Sequence, residues 1–418
     1  MRPFRFLFRS TMTLIAMALI AAAGPAREAA AQASPAPPTE AVSSLGWQLV
    51  ARSGHGNAVV SPASVWQALA MTHAGAAGKT AAEIAAVLGM PDDTATIGEA
   101  AAAMRQAFER IASEQIRLEI ANRLWLQEGE PIAEPFTAIL EAKHAAPAGL
   151  LDFVAAPEAA RSDINRWVAE HTGKRITNLL PSGSITPLTR LVLTNAVFLK
   201  ADWAEPFDAS LTRDRHFDLG EGVQVKVPFM HRSGSLRAGR TGREGAETLV
   251  CEIPYAGGQL SMVILVPDYP DPDGADGAGS VLAQLDGNWL ASLQASGGLQ
   301  MRPVQLALPT WTARKPLSLN DTLADLGMPT AFTREADFSG IDGTRDLFIS
   351  DVVHEGFVEV SEEGTEAAAA TGVVIGVKSA LPPVEPLTIT ANRPFLWAVI
   401  DTATGSMLFA GEVADPRG

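Results

Sequence analysis

The residues of this chain that could do chemistry are seven histidines, a single cysteine and many serines and carboxylates, and their spacing assembles no catalytic or metal-binding pattern. There is no G-x-S-x-G nucleophile elbow, no H-E-x-x-H, no C-x-x-C and no G-x-x-x-x-G-K phosphate loop. Gly277-Ala278-Gly279 lacks the third glycine and the strand-to-helix setting of a dinucleotide fold. Serine, histidine and aspartate far apart in sequence can still meet in space, so a triad stays open on sequence alone. Cys251, after Val250 and before Ile253-Pro254, has the setting of a small buried hydrophobe rather than a nucleophile. The pattern therefore predicts no cofactor, no metal and no enzyme.

A different capacity lies in Ser361–Ala380, S-E-E-G-T-E-A-A-A-A-T-G-V-V-I-G-V-K-S-A. Ala367, Ala368, Ala369 and Ala370 favour helix, Val373-Val374-Ile375 favours strand, and Gly364, Gly372 and Gly376 break both. At the two-residue period of a strand, Thr365, Ala367, Ala369, Thr371, Val373, Ile375 and Val377 share one face. Glu366, Ala368, Ala370, Gly372, Val374, Gly376 and Lys378 share the other. The first face is small or apolar throughout, so a sheet could bury it without stranding a charge. Two readings stand: a small-residue linker with Thr365 capping a short alanine helix, or a loop able to become an interior strand.

Such a loop needs a sheet beside it. The run L-V-L-T-N-A-V-F-L-K from Leu191 is too continuously apolar for a half-exposed strand and predicts the centre of a large sheet, with Asn195 a buried polar group in need of partners. Further strands are expected over Ile116–Leu126, Val223–Met230, Thr248–Tyr255, Leu260–Val266, Val304–Leu308 and Leu347–Val360, and a terminal hairpin over Phe395–Ile400 and Met407–Gly411. Ser61-Pro62 begins a helix. Thr80 with Glu83 predicts a capping box for the next, which stops at Gly89. Ile97–Ser113, Pro135–Lys143, Ala159–Thr172 and Leu317–Leu326 are also helical by pattern, and Asp268–Gly279 is a turn-rich loop. With no repeat and no dividing linker, this is a mixed α+β chain forming a single domain.

The 418 residues are 47% hydrophobic and 19% charged, enough for a large core, and the formal charge is -15. The first 33 residues read as an export signal: basic Arg2, Arg5 and Arg9, an apolar Leu14–Ala23, and the A-x-A site Ala31-Gln32-Ala33. Their removal leaves 28 basic against 46 acidic residues, or -18. Such a surface disfavours nucleic acid, polyanions and anionic membranes as partners. Residues 34–44, with Pro35, Pro37 and Pro38, are expected to form a loose leader to a domain over 45–418. The expected location is periplasmic or extracellular, and one thiol leaves no internal disulfide.

Several motifs, in this order, resemble the serpin family of protease inhibitors. They are N-A-V-V-S-P-A-S from Asn57, T-N-A-V-F-L-K-A-D-W from Thr194, V-H-E-G-F-V-E-V-S-E-E-G-T-E-A-A-A-A-T from Val353, and N-R-P-F-L-W with G-S-M-L-F-A-G-E-V near the end. The resemblance spans Leu45 to Pro416. It implies the serpin fold: a large central mixed sheet, two smaller sheets, about eight to nine helices and an exposed reactive loop over about 362–385. It implies a monomer whose partner is a protease, trapped as an acyl-enzyme when the cut loop inserts into the central sheet. By resemblance, Glu362, Glu363, Gly364, Thr365, Glu366, Ala367, Ala368, Ala369, Ala370 and Thr371 are the hinge of that loop. Ser61, Ser64, Asn195 and His354 match the polar shutter beneath the parting strands, and Trp203 matches the breach at the top. The family's loop length places the scissile bond at Lys378-Ser379, which suits a trypsin-like protease; the alternatives are a bond shifted to Val377 or Ala380. Other targets in play are a cysteine or subtilisin-like protease, and the family also contains non-inhibitory carriers. One departure concerns the lysine that many relatives place after a Leu-Pro to pair with the hinge acid. Here Leu308-Pro309 is followed by Thr310, leaving Glu362 without that partner.

Overall fold

The alternating and continuous apolar runs resolve into two sheets in the computed structural model, which describes residues 37–54, 56–243, 246–268, 277–365 and 385–418. Met1–Ala33, Glu366 to Thr371 and the Lys378-Ser379 bond lie outside the described residues. In chain order the strands are β1 (Ala58–Val60), β2 (Ile116–Gln127), β3 (Gly149–Leu151), β4 (Leu191–Asp202), β5 (Arg213–Asp218), β6 (Gln224–Arg243), β7 (Ala246–Pro254) and β8 (Leu260–Pro267). They continue with β9 (Gln300–Pro309), β10 (Trp311–Ser318), β11 (Asp351–Val360), β12 (Gly364–Thr365), β13 (Leu387–Thr390), β14 (Phe395–Asp401) and β15 (Met407–Val413).

The helices of the first half are α1 (Thr39–Arg52), α2 (Pro62–His73), α3 (Gly78–Val87), α4 (Thr94–Ile111), α5 (Glu134–Ile139) and α6 (Pro157–His171). A π-helical turn, Leu140–His144, continues α5. Four short ones follow: α7 (Gly277–Leu282), α8 (Trp289–Ala295), α9 (Asn320–Asp325) and α10 (Ser339–Asp342). Among the described residues no helix is long and apolar enough to cross a membrane.

One sheet of six strands runs β10-β11-β12-β4-β2-β3 and is mixed, because β4 and β11 are parallel while β2 and β10 pair antiparallel to them. The other, of nine strands, runs β1-β15-β14-β8-β7-β6-β9-β13, with β5 on β6. This is the α+β serpin architecture, with one difference in detail. The two smaller sheets are continuous, because β6 does not stop at Met230 but runs 20 residues, pairing first with β5 and then with β7.

The β4 run is covered on both faces, as its composition requires. Val192 and Ala196 pack with Ile164 and Val168 of α6, while Val197, Leu199 and Ala201 face the nine-stranded sheet. Local expectations fail where tertiary partners compete. Thr80 and Glu83 form no capping box: Glu83 instead binds the Thr330 amide and hydroxyl, and Thr80 accepts from the Asp337 amide. The helix expected from Leu317 begins at Asn320, since Leu317 and Ser318 are the last residues of β10 against β11. Part of the expected leader is ordered: α1 starts at Thr39 and buries Val42 and Ser43.

β15 lies between β1 and β14, and at its Gly411 an added Cβ would sit 2.1 Å from the Ala58 carbonyl oxygen and 2.6 Å from the Trp397 ring. Both neighbours are fixed, one by the β1–β15 ladder and the other by its burial. Gly411→Ala should therefore cost about 1–3 kcal/mol through overpacking. A thermal melt should fall by several degrees; an unchanged midpoint would mean that β1 moves away freely.

Candidate functional site: the parted junction of two strands

The parallel ladder of β4 and β11 runs from Val192–Asp351 to Phe198–Phe357 and then stops. Beyond it the two strands part, and β12 lies between them, antiparallel to both. Thr365 faces Val360 on one side and Ala201 on the other, and Gly364 faces Asp202. The chain reaches this slot by a tight reversal after β11, closed by the Ser361 amide donating to the Gly364 carbonyl at 2.9 Å. At Gly364 a Cβ would lie 2.2 Å from the Ala201 carbonyl oxygen, so only glycine fits so close to β4.

An aromatic wall holds the reversal from beneath. The Trp203 indole donates to the Ser361 carbonyl at 3.0 Å, and its amide donates to the Glu363 carbonyl at 2.8 Å. Tyr255 stacks on Trp203 with centroids 4.5 Å apart, and its hydroxyl meets Thr365 Oγ1 at 2.7 Å. Thr365 is fully buried, its hydroxyl satisfied by that one contact. Thus Thr365, the first residue of the small-and-apolar face, points inward. The Glu362 carbonyl accepts from the Phe207 amide at 2.7 Å, and its carboxylate accepts from the Thr212 hydroxyl at 2.7 Å. Thr212 thus stands where a basic partner of Glu362 was in question.

Lower in the same seam a polar row crosses three strands. Asn122 of β2 is register-paired with Asn195 of β4, and Asn195 with His354 of β11. The start of α2 lies against this row. The Ser61 amide donates to His354 Nε2 at 3.1 Å, which places the ring proton on Nδ1, donating to Asn195 Oδ1. Asn195 Nδ2 donates to Ser64 Oγ and to Asn122 Oδ1, each at 2.6 Å. Ser64 Oγ donates to Asn122 Oδ1 at 2.7 Å, and Asn122 Nδ2 returns a bond to the Ser64 carbonyl at 3.0 Å. Burial pushes the His354 imidazole down to about 4, so it is neutral near neutrality, as its acceptor role requires.

Ser61, Ser64, Asn195 and His354 are thus brought together, and Gly364, Thr365 and Trp203 meet at the top of the same junction. Glu362 and Glu363 form the reversal, while Glu366 to Thr371 lie beyond the described residues. Sequence reasoning missed Asn122, Tyr255, Phe207 and Thr212. Asn122 carried a signal: a polar residue inside a predicted apolar strand, as at Asn195. Tyr255 and Thr212 carried none, because their hydrogen-bond partners Thr365 and Glu362 are more than a hundred residues away. The arrangement has no nucleophile–base pair; what it can do is admit further strand between β4 and β11.

The family model "Serpin (serine protease inhibitor)" matches residues 41–416. A serine protease inhibitor of Cyanea capillata is 32% identical, covering 88% of this chain and 94% of that protein. The leukocyte elastase inhibitor of Bos taurus is 35% identical, covering 86% and 93%. Among solved structures, Serpin48 of the insect Tenebrio molitor superposes with a TM-score of 0.77 at 29% identity, covering 90% of this chain and 97% of that one. The two sequence relatives are named as inhibitors of proteases rather than as proteases. With nearly its whole length matched by the family model, and with the fold in agreement, the chain belongs to the serpin family.

Proposed function

We propose that this protein is an irreversible inhibitor of a trypsin-like serine protease, working as a substrate whose cleaved loop is taken into the six-stranded sheet. The observation that carries this reading is the seating of Gly364-Thr365 between β4 and β11, with Thr365 buried on the inward face. Continued insertion would bring Ala367, Ala369, Thr371, Val373, Ile375 and Val377 inward in turn, a face with no charge and little bulk. Strand addition of this kind satisfies the backbone through new ladder bonds while the side chains test the fit.

In this reading the protease attacks the carbonyl of Lys378, forms its acyl-enzyme and releases Ser379 as the new amino terminus. The upstream segment then separates Phe198 from Phe357 and breaks the His354–Asn195 bond as it moves down the seam. Insertion must outrun deacylation for the protease to remain attached. The native state is held by a barrier rather than by being the most stable fold, and the polar row of Asn122, Asn195 and His354 serves as its gate. A lysine before the scissile bond supports a target whose specificity pocket ends in a carboxylate. The acidic surface of the chain suits a basic partner.

We also infer export. Arg2, Arg5 and Arg9, the apolar Leu14–Ala23 and Ala31-Gln32-Ala33 support removal of residues 1–33 on the way to the periplasm or the exterior, leaving an inhibitor domain that begins with α1 at Thr39 and acts as a monomer.

Mixed with trypsin, the full chain should form a covalent complex that survives boiling in detergent, and Lys378→Ala should lose it. Complete cleavage with full recovery of protease activity would sink the inhibitory reading and leave a substrate or carrier. Replacing Thr365 by Arg should turn the inhibitor into a substrate, raising the fraction of protease released active by about tenfold or more, because a charge would be driven into the sheet. Inhibition unchanged in that variant would rule out insertion through this seam.

The gate also predicts a pH dependence. Unfolded, His354 takes up its proton near the usual 6.5; folded, only near 4. Stability is therefore lost as pH falls between these values, by about 3 kcal/mol at the end of the window. Protonation would also set an Nε2 proton against the Ser61 amide. His144 is held low to about 4 and acts with the same sign, so the informative comparison is the chain with His354→Gln. The thermal midpoint should fall less steeply from pH 6.5 to pH 4 in the variant; equal slopes would remove His354 from the effect.

A further inference from the structure

Away from the seam, on the far side of β2, a cavity of about 520 Å³ opens between α2, α4, α6 and the π-helical turn. Its volume is that of a small-molecule site. Met71, Phe108, Leu118 and Ile120 supply apolar wall, and Trp167 of α6 adds an aromatic side. Ordinary packing would fill such a space with side chains, and the groups left on its wall are not those of a dry void.

His144 is one of them. It is 8% exposed, yet neither ring nitrogen has a hydrogen-bond partner. A buried imidazole without partners is costly, since at least one nitrogen always carries a proton and the neutral ring also offers a lone pair. The backbone that presents it is unusual as well: Leu140–His144 is π-helical and is followed by Ala145 at φ 51. Single π-helical turns within helices are frequent at functional sites. Burial, and after it nearby Arg105, opposes protonation of His144, and Arg105 is itself paired with Glu109.

Arg123 supplies the second group. Its Nε donates to the Pro147 carbonyl at 3.1 Å, and its guanidinium lies over Trp125 at 4.7 Å and Trp167 at 5.2 Å. Among the described residues no carboxylate pairs with it, although the chain is strongly acidic. A guanidinium set in the corner of two indoles that meet edge to face, and tied at Nε to a carbonyl, keeps its remaining N–H groups aimed in fixed directions, the geometry that suits a carboxylate.

We propose that this cavity is a binding site for a small carboxylate with an aromatic or alkyl body. The carboxylate sits on Arg123, the body lies against Phe108, Leu118 and Ile120, and His144 provides a second polar contact. Leu118 and Ile120 pair with β4, and Asn122 of the polar row also lines the cavity, but binding is read without any protease, so the proposal does not rest on the inhibitory reading.

The test uses the full chain and naphthalene-2-carboxylate as the probe, with neutral naphthalene-2-methanol as its control, by titration calorimetry. One-to-one saturable binding of the carboxylate is expected, with the alcohol weaker by about tenfold or more, the worth of a charge-assisted hydrogen bond. Arg123→Gln should remove that preference while leaving the alcohol's affinity as it was. His144→Phe, which keeps the ring's bulk, should weaken the carboxylate, and Leu118→Trp should block both probes. Circular dichroism of each variant against the parent separates a lost site from a lost fold, and Arg123→Lys should recover part of the preference. Absence of saturable binding, equal affinity for acid and alcohol, or binding untouched by Arg123→Gln and Leu118→Trp would each overturn the proposal.

Discussion

The hydrogen bond from His354 to Asn195 crosses the longer of the two parallel pairings in the six-stranded sheet, the other being the three-residue edge pair β2–β3, and the remaining architecture is arranged about it. On either side of that seam the pairing is antiparallel and longer, β2 with β4 and β10 with β11. Parallel ladders are slightly weaker per residue, with slanted bonds. The sheet therefore has a line of least resistance built into its strand directions. Above that line β12 already holds the strands apart, and below it α2 braces the polar row.

Closing such a seam with apolar residues would be simpler, so the use of polar ones calls for a physical reason. Apolar contact weakens gradually as surfaces separate, and it tolerates sliding. The row of Asn122, Asn195 and His354 is satisfied in only one register, because its amides and ring nitrogens are matched to partners fixed on β2, β4, β11 and the start of α2. Half-opened, it leaves buried donors and acceptors unpaired at about 1–3 kcal/mol each. Such a junction resists small displacements steeply. The fully buried Tyr255–Thr365 pair at the top has the same character: one hydroxyl on one hydroxyl, with no second arrangement available.

Much of this was legible from residue types. The two-sided apolar composition of Leu191–Lys200 announced a central strand, and Asn195 within it announced a polar cluster, because a buried amide must be answered. Of the period-two face, Thr365 is the member that the described residues include, and it lies buried in the sheet as that reading expects. Signals failed where the deciding partner was remote. Nothing local tells Glu83 to leave its own helix start for Thr330, or Leu317 to pair with His354 rather than begin a helix. β6 passes Met230 because β7 and β9 wait to receive it. Tyr255 lies just past β7 in an unremarkable stretch, and its importance exists only once Trp203 and Thr365 are brought beside it.

The strength of the flanks completes the argument for a seam that parts along one line. Glu355 follows His354 directly and is buried to 1% exposure on β11, its carboxyl pushed up by that burial. Its charge is answered by Arg314 of β10. Separating β10 from β11 would strand that carboxylate, a far greater cost than parting neutral amides. On the other flank, β2 is bound to β4 along its whole length and through Asn122. Each half of the sheet is thus tied internally by something more costly to break than the bonds between the halves. In the proposed mechanism, strain from the reversal at Ser361–Gly364 would fall on the β4–β11 seam, which is crossed by neutral hydrogen bonds and by two phenylalanine rings 6.3 Å apart.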